Sequence, residues 1–136
     1  MIQLLLAAGS LNTEATAALI ASGANTNSAI PNCGRTALHV AVRVNIDCIS
    51  LLLSNGANVN IPDREGRTPV HEACSGGRRK IVDLLLEYKA DMNSLTRDGQ
   101  SPVFLFLQHR SHLKDRALEG RTMNHFLNQL IYSQHY

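Results

Sequence analysis

Six histidines and three cysteines are the side chains of this 136-residue chain with the most chemistry to offer. His71 and Cys74 are spaced so that one helical face could present both to a metal, but a structural zinc takes four ligands and two do not make a site. His109, His112, His125 and His135 are scattered through the last quarter and define no ligand set. Cys33, Cys48 and Cys74 are odd in number and match no disulfide framework, which points to a reducing compartment. Cys33 falls in a loop and is expected to be exposed. Along the chain no nucleophile–base pair emerges, and the pair Gly76-Gly77 reads as a helix-ending turn rather than a phosphate or dinucleotide fingerprint. The expectation is a chain that is not an enzyme and that needs no cofactor or metal. What remains is arginine, whose planar fork fits carboxylate or phosphate. Arg35, Arg43, Arg64, Arg67 and Arg97 recur through the middle of the chain, and Arg78-Arg79-Lys80 forms a separate basic run.

The elements that must position these residues are copies of one unit. Thr68-Pro69-Val70-His71-Glu72-Ala73 leads through Ile81-Val82-Asp83-Leu84-Leu85-Leu86 to Ala90-Asp91-Met92-Asn93. Thr68 can cap a helix, and Pro69 fits its first position, where no N–H is missed. Val70 and Ala73 point inward, with Ala73 small enough to let neighbouring helices approach. Ile81, Val82, Leu84 and Leu85 give a second helix its apolar face. Thr36-Ala37-Leu38-His39-Val40-Ala41 repeats the start, and Ser101-Pro102-Val103-Phe104 starts a further copy. The endings Gly23-Ala24-Asn25-Thr26-Asn27, Gly56-Ala57-Asn58-Val59-Asn60 and Lys89-Ala90-Asp91-Met92-Asn93 run in phase with them. The unit resembles the ankyrin repeat, whose signature is T-P-L-H-x-A at a period near 33 residues, with Val70 here in place of the leucine. The resemblance covers nearly the whole chain. It implies an all-α solenoid of stacked helix-turn-helix units joined by β-hairpin-like loops, in one domain, residues 1–136. The repeats fall at about 1–30, 31–62, 63–95 and 96–136, the last a C-terminal cap.

Composition fits that expectation. Hydrophobic residues are 44% and aromatics 4%, suited to layers of Leu, Ile, Val and Ala. A net charge of +2 gives no reason to expect nucleic acid, and no run approaches the ~18 apolar residues that span a membrane. The apolar start lacks a basic region and does not read as a signal peptide. The expected location is intracellular, cytoplasmic or nuclear. Gly34, Gly66 and Gly99 stand just before capping positions where φ > 0 is needed, and Lys89 stands where Gly23 and Gly56 end the outer helices, a weak point. In the first copy the outer helix is expected from about Asn12 to Ala21, with Glu14 the only charged side chain before Arg35. Such a bare first repeat suggests a fragment or isoform of a larger ankyrin protein that docks onto other repeats or self-associates; otherwise the chain is a monomer, its small Ala, Ser and Thr face adequate in water. In the last copy Val103 to Gln108 forms the first helix, His109 to Arg121 a long charged turn, and Thr122 caps a final helix with Met123, Phe126, Leu127, Leu130 and Ile131 on one face.

The resemblance also implies where a protein partner would sit. The family binds through its hairpin tips and the groove side of the first helices. The matching tip residues are Asn32, Cys33 and Arg35; Arg64, Glu65 and Arg67; and Arg97, Asp98 and Gln100. The matching groove positions are Arg43 and Val44, Ser75 and Gly76, and Gln108 and His109. Stacking would set the arginines in register along one edge against two acids, Glu65 and Asp98, an edge suited to an acidic or phosphorylated segment. The plainer alternative is that the arginines are solvated or pair with those acids. His39 and His71, with Thr36, Thr68 and Pro69, are expected to be structural, each imidazole tying its helix start to the neighbouring loop.

Overall fold

Thr36 and Thr68 both hold extended backbone, with φ −108° and −98°, and each is followed at once by a helix. In the computed structural model, which describes residues 3–10 and 12–112, seven helices follow in order: α1 (Gln3–Ala8), α2 (Thr13–Ala21), α3 (Ala37–Ala41), α4 (Ile46–Ser54), α5 (Pro69–Ser75), α6 (Arg79–Glu87) and α7 (Pro102–His112). Odd-numbered helices form an inner row in which α1 packs on α3, α3 on α5 and α5 on α7. Each of the first three also packs on the outer helix that follows it, and α2 packs on α4. The expected all-helical solenoid is what the chain forms.

The core is one continuous cluster running between the rows. Ala41 and Ala73 are fully buried, and their single methyl groups let neighbouring inner helices come close. Leu38, Ile49, Leu52, Val70, Val82 and Leu85 fill the layers, each burial worth about 1.5–3 kcal/mol. In α6 the helical period buries Ile81, Val82 and Leu85 and leaves Arg79 and Glu87 at the ends.

Between the helix pairs the chain makes narrow fingers. Ala29 and Thr36 form an isolated antiparallel bridge, and the Ile30 N–H reaches the Arg35 carbonyl at 2.9 Å. The next two fingers close in the same way, Asp63 to Arg67 at 2.9 Å and Thr96 to Gln100 at 3.0 Å. The fingers then stack through backbone alone: the Arg64 N–H donates to the Cys33 carbonyl and the Arg97 N–H to the Glu65 carbonyl, both at 2.8 Å. That approach leaves no room for a side chain at Gly66, where φ is +78° and a Cβ would lie 3.1 Å from the Arg97 nitrogen.

At the other end of each unit, the in-phase asparagines explain their own spacing. Asn27 accepts the Asn58 N–H at 2.6 Å and reaches the Gly56 carbonyl at 3.4 Å; one unit on, Asn60 accepts the Asp91 N–H at 2.7 Å and reaches the Lys89 carbonyl at 3.2 Å. Lys89 itself is at φ +70°, in the left-handed region where Gly23 and Gly56 serve the earlier units.

Several local expectations change. The last inner helix continues past Gln108 to His112, so the charged stretch after it begins as helix. Cys33 is half-buried within its finger rather than exposed. Arg43 and Val44 lie in the turn beyond the end of α3, not on the helix. The final helix expected after Thr122 lies outside the described residues. No helix among the described residues is long and apolar enough to cross a membrane.

Candidate partner-binding groove

Two imidazoles pin the starts of α3 and α5 to the fingers. Thr36 and Thr68 start α3 and α5 with a reciprocal capping box in which histidine replaces the usual acid at the third position. Nδ1 of His39 accepts the Thr36 N–H at 3.1 Å, and Nδ1 of His71 accepts the Thr68 N–H at 3.0 Å. The opposite nitrogens face only carbonyls: Arg67 at 2.8 Å from His39, and Ser94 and Gln100 at 3.1 Å from His71. A carbonyl cannot donate, so Nε2 carries the proton and Nδ1 is the acceptor in both rings. Burial, only partly offset by those carbonyls, pushes both rings below the ordinary histidine value of 6.5. Each neutral ring thus stitches a helix start to the following finger. His71 is given to this task, while burial pushes the Cys74 thiol up to about 12, far from a thiolate ligand or nucleophile at neutral pH. Among the described residues no three His, Cys, Asp or Glu side chains gather as a metal would require.

Above these pins sits a charge network that the repeat phase alone did not reveal. The Arg35 Nη1 lies 3.1 Å from an Asp63 carboxylate oxygen and its Nη2 3.5 Å from Glu72; the Arg67 Nε donates to Glu72 at 2.7 Å. The second Asp63 oxygen accepts the N–H groups of Glu65 and Arg67 at 2.8 and 3.0 Å, which fixes the finger. Burial would raise the Glu72 carboxyl, but the hydrogen bond from Arg67 and the charges of Arg35 and Arg67 outweigh it and hold the group below its ordinary range. The acids that neutralise Arg35 and Arg67 are therefore Asp63 and Glu72, not Glu65 and Asp98. One signal was available: Glu72 stands one helical turn before Gly76, and so on the same face.

Arg43, Arg64, Arg78, Arg97 and Arg110 make no ion pair among the described residues, and the first four lie on the fingers or beside the groove. Arg43 and Arg78 meet Arg67, Glu72, Ser75 and Gly76 in a cleft of about 360 Å³ between the ends of α3 and α5. Arg78, exposed at the head of the basic run, thus also lines this cleft. Its stem folds over Gly76, where an added Cβ would lie 3.2 Å from Nε. The next residue, Gly77, has φ +66°, and the His109 ring occupies the place a Cβ would take. Asn32, Arg64, Glu65, Arg97 and Asp98 lie exposed on the fingers, away from the cleft; their register is the backbone ladder already described. Gln100 is half-buried with its carbonyl on His71, and Gln108 is exposed on α7.

An array of helix pairs with histidine-pinned starts, stacked fingers and a charged cleft at the helix ends defines a repeat-built recognition scaffold. A family model for ankyrin repeats (3 copies) matches residues 4–96, and the chain belongs to that family. Ankyrin repeats generally mediate protein–protein interaction, and the domain is typically non-catalytic. Among relatives, the Neurogenic locus Notch protein of Drosophila melanogaster is 36% identical over 89 residues, 64% of this chain and 3% of that protein. Neurogenic locus notch homolog protein 1 of Xenopus tropicalis is 34% identical over 88 residues, 63% of this chain and 4% of its own length. An ankyrin repeat protein of Fowlpox virus is 43% identical over 77 residues, 55% of this chain and 23% of its own. The chain thus spans only a small part of the curated relatives it matches.

Proposed function

We propose that this chain is a non-catalytic, intracellular recognition module, one domain of four repeats with the bounds given above, that holds an acidic or phosphorylated segment of a protein partner against its finger tips and inner groove. The observation that carries this reading is the distribution of unpaired arginine. Arg64 and Arg97 stand one above the other on the stacked fingers, and Arg43 and Arg78 line a cleft whose one acid, Glu72, is already held by Arg35 and Arg67. Because backbone bonds preform the fingers and histidines pin the groove, binding orders little of the protein. No nucleic acid, membrane, metal or cofactor enters the reading. Its test is an array of acidic, phosphorylated, neutral and basic peptides probed with the wild type and with a variant carrying Arg43→Glu, Arg64→Glu and Arg97→Glu. Retention on the anionic peptides, reduced tenfold or more in the variant, is expected; equal retention on basic peptides overturns the reading.

A second reading is favoured by the first helix pair. Leu6 is 69% exposed, and the same helix pair carries a groove of about 390 Å³ lined by Leu4, Leu19 and Ala24 together with the polar Gln3, Ser22 and Asn25. Such a face suits the side of another helix pair, from further repeats or from a second copy. Sedimentation at rising concentration checks it: a mass that increases, and that Leu6→Glu returns to the monomer, supports docking, and a constant mass refutes self-association.

A further inference from the structure

The reading above leaves open which part of the arginine surface selects the ligand, and a second cleft bears on this. Val44, Ile46 and Ile81 floor a depression of about 450 Å³ whose rim is Arg78, Arg79 and Lys80. Val44 and Ile46 are 39% and 42% exposed, unusual for aliphatic side chains beside three cations. Arg78 belongs to this depression and to the polar cleft alike, and Arg43 and Val44, consecutive in the chain, line one each. The two therefore adjoin across a shared guanidinium. Arg79 is also within 4.0 Å of Asp83, an exposed pair that contributes little.

Resting on the proposed recognition of an anionic segment, we propose that its selective part is this double cleft, and that the occupant is a segment of a partner protein with a phosphorylated side chain close to an aliphatic one. The phosphate seats between Arg43 and Arg78, and the aliphatic group covers Val44 and Ile46. A phosphomonoester carries a charge of about −1.5 to −2 at neutral pH, matching the two guanidinium groups left without a carboxylate; a single Asp or Glu would leave one uncompensated. Glu72 acts as a positioning residue by holding Arg67 at 2.7 Å, so that its remaining N–H groups line the same cleft. A flat bilayer is the poorer match, because Arg43, Arg67 and Arg78 meet in a recess between helix ends rather than on a convex surface. Gly76 completes the device: with no side chain there, the Arg78 stem can lie across it.

The test uses the full chain and labelled degenerate peptide pools in fluorescence anisotropy. One pool fixes a phosphoserine and a leucine one to three positions apart. Three controls replace the phosphoserine by serine, the phosphoserine by glutamate, or the leucine by serine. The phosphorylated pool is expected to bind at least tenfold tighter than the serine pool, several-fold tighter than the glutamate pool, and several-fold tighter than the pool lacking leucine. Arg78→Ala should remove most of the phosphate preference. Gly76→Ala is compatible with the backbone there (φ −87°), so it should keep the helical circular dichroism signal while weakening the phosphorylated pool by displacing Arg78. Ile46→Ser should abolish the leucine preference and leave the phosphate preference. If Arg64→Glu with Arg97→Glu removes anionic binding while Arg78→Ala and Gly76→Ala leave it intact, the finger tips select and the double cleft is refuted, though the broader reading stands. Equal binding of phosphorylated and serine pools also refutes it, as does Arg78-dependent capture by phosphatidylserine vesicles with no pool preference.

Discussion

An imidazole with an N–H against one nitrogen and a carbonyl against the other has a place for one proton only. His39 and His71 are both in that position, and burial holds both below 6.5 in the folded chain. The unfolded chain therefore binds more protons below that value, and stability falls as the pH falls through it. Urea unfolding at a series of pH values should show full stability above pH 6.5 and a loss below it approaching about 1.4 kcal/mol per pH unit for each ring. Glu72 shifts in the same direction for a different reason, its arginine partners favouring the charged form, and acts in the same sense: its stabilisation is present above the ordinary glutamate value of 4.5 and lost as the pH drops through the folded one. His71→Gln should make the slope below pH 6.5 shallower; an unchanged slope would show that other groups set it. The glycines behind the groove make a sharper contrast. Gly77→Ala meets both a left-handed backbone and the His109 ring, and should destabilise by about 2 kcal/mol or more in the same assay, whereas Gly76→Ala should leave stability nearly unchanged.

At the scale of the element, each helix pair is joined to the next by a finger on one side and an asparagine on the other, and both links have measurable weak points. Lys89→Gly relieves a left-handed lysine and should raise stability by up to about 1 kcal/mol, seen as a higher Tm. Asn60→Ala removes the bonds to Lys89 and Asp91 and should lower stability by about 1–2 kcal/mol. Much of this element was legible from one sequence. The left-handed positions, the inward alanines and the in-phase Asx-x-Asn endings are properties of the repeat, so one copy informs the others. What phase could not supply is the particular. Asp63 and Glu72 capture Arg35 and Arg67 because a guanidinium goes to the nearest buried carboxylate, and neither acid has a charged equivalent in the next unit, where Thr96 and Leu105 stand. Nor could phase supply that Arg78, on its exposed turn, also lines the cleft, because that depends on the missing Cβ two residues earlier.

Over the whole molecule, stability is shared among neighbours rather than held at a centre, so its distribution follows how much each pair buries. α4 buries Cys48, Ile49, Leu52 and Leu53, while α2 buries Thr16 alone among its residues. Amide exchange should therefore be slowest in α3 to α6 and distinctly faster in α2; uniform protection would indicate a single cooperative block instead. The stitching between units also has a sense of travel. His39, His71, Asn27 and Asn60 all reach forward, the imidazoles donating to carbonyls and the asparagine oxygens accepting amide N–H groups roughly one unit downstream. Stripping away a downstream neighbour leaves a buried imidazole proton with nothing to grip, whereas stripping an upstream one leaves only carbonyls and amides that water readily satisfies. The array is thus built like overlapping roof tiles, and it should peel more easily from one end than from the other.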